Sequence, residues 1–189
     1  MSADRLRRDH VDIDGARIVY ASDNGQVVGH AFGVIFNAKL TNPHTSQPEE
    51  QSVGWLTQLV VHTAYRHRGI ASTLCHTFWS PEQSVWGLVT SHPHAVRALE
   101  RARHVRCDPK RIAINATELV EQTPVPYVNG REHVCNDTQV VINTDFDVDH
   151  SDIQRILGEF GSQWRLGELK DGWEFLAFVF MDQITPMDK

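Results

Sequence analysis

The residues best suited to chemistry form the run Tyr65-Arg66-His67-Arg68-Gly69-Ile70-Ala71. They follow a mostly apolar stretch, Trp55 to His62, and precede one in which Ile70, Leu74 and Phe78 recur at every fourth position. A strand that enters a tight loop and opens a helix leaves the first backbone N–H groups of that helix unpaired, with the positive end of its dipole behind them. Such a turn is an anion site. Gly69 allows the backbone a close approach, small Ala71 leaves room above the helix start, and Arg66 and Arg68 add permanent charges suited to phosphate oxygens. An arginine-rich surface turn ahead of a helix has about equal weight for a lone G-x-A. The spacing is not that of the common nucleotide loops, because neither GxxxxGK[ST] nor GxGxxG occurs.

Other candidates are weaker. His92-Pro93-His94 offers two imidazoles, but no carboxylate or cysteine stands at a matching spacing, so a polar loop pair is expected and no metal site. His62 ends its strand and titrates near neutrality, yet alternation turns it to the face opposite Val61, and a surface or packing role is expected. Asp145, Asp147, Asp149 and His150 crowd the end of one strand and suit a cationic amine, or equally a solvated strand edge. Glu174, between Trp173 and Phe175 in an apolar run, must find a partner or titrate high, which would suit a general base; a hydrogen-bonded strand-end residue is the alternative. Cys75 is expected in the core.

Several elements must position these residues. Residues 17 to 36 form two β-rich runs around Asp23-Asn24-Gly25, the chemistry of a tight hairpin turn. Residues 37 to 53, with Pro43 and Pro48, read as a long exposed loop. Trp55 to His62 suits a strand buried on both faces, and the helix after Gly69 stops at Ser80-Pro81. Val85 to Thr90 supplies the next strand, parallel to the first, and His94 to Arg103 a helix with Ala95, Ala98, Leu99 and Ala102 on one face. A further helix is expected from Pro109 to Gln122, with Ile112, Ala116, Leu119 and Val120 inward. Gln139 to Thr144 reads as a strand, Ser151 as the N-cap of a helix reaching Phe160, and Asp171-Gly172 as a turn folding Trp164 to Leu169 onto the central strand Trp173 to Phe180. The expected whole is one α/β domain over residues 1–189, with 1–15 as an N-terminal extension.

Composition sets outer bounds. The 189 residues carry 18 Lys and Arg against 24 Asp and Glu, a net charge of −6. The charge is uneven: residues 1 to 107 have 11 cationic and 9 anionic side chains and stand at +2, while 108 to 189 have 7 and 15 and stand at −8. No basic arm beyond Arg5, Arg7 and Arg8 favours a nucleic-acid partner, and no apolar run reaches the roughly 18 residues of a membrane span. The first residues lack a secretory h-region, so a cytoplasmic location is expected. Three cysteines at wide spacing make neither a disulfide framework nor a zinc pair.

The R-x-x-G-x-A run after an apolar strand resembles the [RQ]-x-x-G-x-[GA] acyl-CoA loop of the GNAT superfamily of N-acetyltransferases. VVHTAYRHRGIA is similar to the V-H-x-x-[FY]-R-x-x-G-x-G stretch of its arylalkylamine members, and the hairpin ending Val27-Val28-Gly29-His30-Ala31 to the second and third strands of that fold. The resemblance covers residues 16 to 104. It implies a mixed, mostly antiparallel twisted sheet flanked by helices, with acetyl-CoA as co-substrate, no metal, and a primary amine of a small molecule as acceptor. A homodimer is compatible with it.

Carried residue by residue, it implies that Arg66 and the backbone of His67, Arg68, Gly69, Ile70 and Ala71, with adjoining Ser72, hold the pyrophosphate. Leu59, Val60 and Val61 would pair with the pantetheine arm, and the Leu59 N–H would face the thioester oxygen as oxyanion donor. The family pattern also breaks. The position of its tyrosine acid is Leu99, that of its pantetheine-binding asparagine lies near His92, and those of the two histidines of serotonin-type enzymes are Trp55 and Thr57. The family's first strand and helices, which roof the acceptor site, would have to fit into about fifteen residues. The pocket is therefore open, covered by a partner or by residues 37 to 52 and 105 to 138, or the chain is a truncated form. An acyl-CoA-binding or protein-interaction module without catalysis is the alternative function.

Overall fold

The computed structural model describes residues 3–146 and 151–181. Its centre is a seven-stranded sheet in the order β1-β2-β3-β4-β7-β6-β5. Strands β1 (Ala16–Asp23) and β2 (Gln26–Thr41) form the expected hairpin, with Asn24 and Gly25 at φ 48° and 82°, the left-handed pair that a two-residue turn requires. Strand β3 (Pro48–Val61) is antiparallel to β2, and β4 (Val85–Thr90) is its parallel neighbour through the intervening helix α2 (Ile70–Phe78). Strand β7 (Gly172–Phe180) lies between β4 and β6 (Val140–Phe146), antiparallel to both, and the short β5 (His133–Cys135) closes the edge. The sheet is thus mixed and mostly antiparallel, as expected.

Helices cover both faces. On one, α2 packs so closely that a Cβ on Gly33 would stand 2.4 Å from Phe78 and one on Gly54 2.2 Å from Trp79. Trp79 stacks on Trp86 at 4.6 Å and donates its indole N–H to the Gly54 carbonyl over 2.9 Å. Arg103, from helix α3 (Pro93–Arg103), lies 4.3 Å over the Trp86 ring, so α3 shares this face, and α5 (Ile153–Phe160) follows it. The other face carries Trp55 and Phe178, edge to face at 4.9 Å, under helix α4 (Pro109–Gln122), whose Arg111 sits 4.5 Å over Phe180. Helix α1 (Ala3–His10) joins α4 there, with the His10 ring 6.3 Å from Phe32 and 5.8 Å from Tyr127.

Four expectations are corrected. Residues 37–53 are mostly strand, and only 42–47 turn between β2 and β3. Ala38 and Leu40 are buried while Asn37 and Lys39 are exposed, a period-2 alternation overshadowed by the prolines, and Pro48 is tolerated as the first residue of its strand. Trp164 to Leu169 forms no strand, because β7 already has β4 and β6 on its two sides and Gly167 turns the chain at φ 80°. Residues 1–15 are more than an extension, since α1 forms there; among the described residues no strand precedes the hairpin. Asp152, not Ser151, is the N-cap of α5. Helix α4 is tied to the end of β2, where Asn115 and Gln122 accept the N–H groups of Thr41 and Lys39 over 2.7 and 2.9 Å.

Candidate functional site

Strands β3 and β4 pair only from Val53↔Val85 to Leu56↔Leu88. Beyond Leu56 they part, and Thr57 to Val61 have β2 on one side and no strand on the other. The fork begins at a bulge. Leu56 faces Gly33 and Gln58 faces Phe32, which leaves Thr57 as the extra residue. A bulge bends its strand and raises the local twist, so one inserted residue is sufficient to peel β3 away. Strand β3 is therefore enclosed only over Val53–Leu56; Thr57, Gln58, Leu59 and Val61 are half-buried and Val60 is exposed, not the strand buried on both faces expected over its whole length.

The open end of β3 runs through a 3₁₀ turn (Thr63–Tyr65) into the arginine loop. His67 and Gly69 take left-handed φ of 61° and 80°, and Gly69 caps α2 with no side-chain hydrogen bond, so the first N–H groups of that helix point out of the loop. A Cβ on Gly69 would meet nothing within 4 Å, which makes positive φ, not crowding, the reason for glycine there. Arg66 donates its Nε–H to the Val61 carbonyl at the end of the fork (3.3 Å), and Arg68 stands 5.1 Å over the Tyr65 ring. The Tyr65 hydroxyl donates to Asp23 in the β1–β2 turn over 2.9 Å, tying the loop to the hairpin. That hydrogen bond and the Asp23 charge raise the Tyr65 phenol above its ordinary value.

His92, just past β4, is exposed at the mouth of the fork and caps α3, its Nδ1 accepting the His94 N–H over 3.3 Å. The neutral ring therefore carries its proton on Nε2. Burial first, then the charges of His94 and Arg66, lower its pKa. Glu174 is 8% exposed, the third residue of β7; pairing with Ile142 turns it to the face of Leu176 and Phe178, level with the C-terminal end of β4. It is one strand removed from the fork. Asp145 is exposed at the end of β6, whereas Asp147, Asp149 and His150 lie outside the described residues. His62 is exposed and accepts the Ala64 N–H, while Cys75 is buried, its thiol pushed up to about 12 by desolvation. Leu99 is fully buried.

The partner of Tyr127 and the place of His94 beside His67 are not evident from the sequence. The Tyr127 hydroxyl donates to the carbonyl of Thr57, the bulged residue, over 3.1 Å. On the loop side, the His94 ring lies 6.0 Å from His67 and 5.4 Å from His92. Among the described residues no cluster of His, Cys, Asp and Glu could hold a metal ion, and no helix is long and apolar enough to cross a membrane.

An arginine loop opening a helix at the end of a forked strand has a counterpart among known families: residues 2–78 match the acetyltransferase (GNAT) family. Over these residues the chain is similar to GNAT acetyltransferases. The matched GNAT segment spans α1, the β1–β2 hairpin, β3, the loop and α2, whereas Tyr127 and the histidines after β4 lie beyond it. No curated protein matches the chain. Two solved structures of aminoglycoside acetyltransferases from uncultured soil metagenomic samples, one in complex with trehalose, are similar at 16% and 25% identity, with TM-scores of 0.29 and 0.28. Each likeness covers 41% of this chain and 45% of the other.

Proposed function

We propose that this GNAT protein moves the acetyl group of acetyl-CoA to a primary amine of a small molecule. The observation that carries the reading is the fork: a bulge at Thr57, five residues of β3 without a strand on their open side, and an uncapped helix start with Arg66 at the end. A pantetheine arm has amides that can pair with the exposed edge of Leu59 to Val61, as a strand would. The amides of His67 to Ala71, next to Arg66, Arg68 and Ser72, suit the pyrophosphate. The N–H of Leu59 is the donor for the thioester oxygen.

In this reading the amine nitrogen attacks the thioester carbon, the oxygen becomes an oxyanion held by the Leu59 N–H, and collapse expels the CoA thiolate while the amine loses a proton. A donor of this kind contributes about 3 kcal/mol in the transition state. His92, with Nε2–H free of the backbone, is suited to donate a hydrogen bond to pantetheine or sulfur, and Glu174 is the buried carboxylate on the acceptor face. The test is release of CoA thiol from acetyl-CoA in the presence of a panel of primary amines, with amine-dependent release expected.

One observation favours a second reading, a GNAT module that binds acyl-CoA without catalysis: the family's phenolic acid position is Leu99, fully buried in the core. Acetyl-CoA that raises the melting temperature while no amine in the panel releases thiol selects this reading. At 100-fold excess over Kd the ligand contributes about 2.7 kcal/mol of stability.

A further inference from the structure

Resting on the acetyl-CoA reading, we infer that His94 joins His67 and His92 in an imidazole cluster that meets the cofactor's phosphates, so that the cofactor binds with uptake of protons. His94 belongs neither to the loop nor to the fork. It reaches them because α3 packs beside α2, which sets its ring 6.0 Å from His67, edge on at 88°, and 5.4 Å from His92. The ring is held from behind by Phe160, at 5.3 Å and 89°. His67 is exposed on the loop at positive φ, and His92 is fixed by its cap on α3.

The surroundings of His92 and His94 favour neutral rings until an anion arrives. Two helix starts, Ile70 and Pro93, direct positive dipole ends toward it. Burial, then His94 and Arg66, lower His92, with Asp152 opposing; burial, then His67, lower His94, with Glu159 opposing and Arg101 and Arg155 adding to the effect. Both carboxylates are exposed and already engaged by Arg155. A pyrophosphate in the loop reverses the balance, because an opposite charge at contact distance favours imidazolium. His92 and His94 then titrate higher in the bound state than in the free state. Binding is strengthened below the free-state pKa values and loses that gain as pH rises through the bound-state values. Each proton taken up changes affinity by about tenfold per pH unit inside that window.

The experiment is titration calorimetry of the full chain with dephospho-CoA, which lacks the 3′-phosphate and so removes that group's own titration. It is run at pH 7 in two buffers of different ionisation enthalpy, and again from pH 6 to 8. The expected result is a buffer-dependent heat equivalent to roughly one proton taken up, and affinity that rises by about tenfold from pH 8 to pH 6. In His94→Gln, with His67→Gln as a second variant, the uptake shrinks and the pH profile flattens while the melting temperature stays near that of the parent. Binding with the same heat in both buffers overturns the inference and leaves the acetyl-CoA reading intact. Failure to bind CoA or dephospho-CoA at any pH overturns both.

Discussion

The hydroxyl of Tyr127 donates to the carbonyl of Thr57 over 3.1 Å, at the residue where β3 separates from β4. The last paired residue on β3 is Leu56, so Thr57 has a backbone acceptor with no β4 partner, and a phenol from the segment after α4 satisfies it. Tyr127 is a positioning residue in this arrangement: it fixes the bulge two residues from Leu59. Tyr127→Phe keeps the ring contacts with His10 and Phe146 and removes this bond. Thiol release is expected to fall by about tenfold, roughly 1.4 kcal/mol in barrier, with acetyl-CoA affinity unchanged. Unchanged turnover in the variant removes Tyr127 from the account.

The clamp between Tyr65 and Asp23 joins the loop to the hairpin turn. Asp23 disfavours the phenolate, so the raised Tyr65 value should return toward an ordinary tyrosine in Asp23→Asn, read by tyrosinate absorbance against pH. Acetyl-CoA should bind about threefold more weakly in the same variant, because the loop must be ordered on binding.

Glu100 is the centre of a buried ionic group. Arg97 and Arg106 donate to its Oε2 over 2.7 and 2.9 Å and the Cys107 N–H to its Oε1 over 3.0 Å, while burial pushes its carboxyl up. Removing the carboxylate strands two largely buried guanidiniums. Glu100→Ala is expected to cost about 3 to 5 kcal/mol in urea unfolding. A loss below about 1 kcal/mol contradicts the group's role in docking α3.

Stability of the free protein should depend on pH through the same histidines. His92 and His94 are lowered in the folded state, so the unfolded chain binds protons first as pH falls. Their contribution is therefore complete above the unfolded value near 6.5 and is lost as pH drops through the folded values. Thermal melts from pH 8 to 5 should show this decline, and His94→Gln should reduce it.

Much of the framework was legible because local periodicity and tertiary packing agree. Helix α4 runs from Pro109 to Gln122 as its apolar stripe indicates, and Asn24-Gly25 makes the hairpin turn its residue types require. Strand extensions at 37–41 and 48–52 were hidden, because prolines and polar residues suggest a loop while Ala38 and Leu40 gain their burial from α4, about seventy residues along the chain. The arginine loop could be read from sequence since a strand end, glycine and helix start are contiguous. Tyr127 could not, because its bond to Thr57 spans 70 residues; His94 was visible as one of a polar loop pair, but its place beside His67 depends on how α3 docks against α2.

The central claim is that acetyl-CoA occupies the fork between β3 and β4 with its pyrophosphate on the arginine loop. Titration calorimetry of acetyl-CoA into the parent protein and into Arg66→Ala/Gly69→Glu tests it most directly. Gly69 has open space around it and Arg66 is exposed, so the fold should survive both changes, with the strain of glutamate at positive φ costing about 1 kcal/mol. The account predicts saturable one-to-one binding to the parent and none to the variant, with the variant still melting in a single cooperative transition. No binding to the parent, or undiminished affinity in the variant, contradicts it.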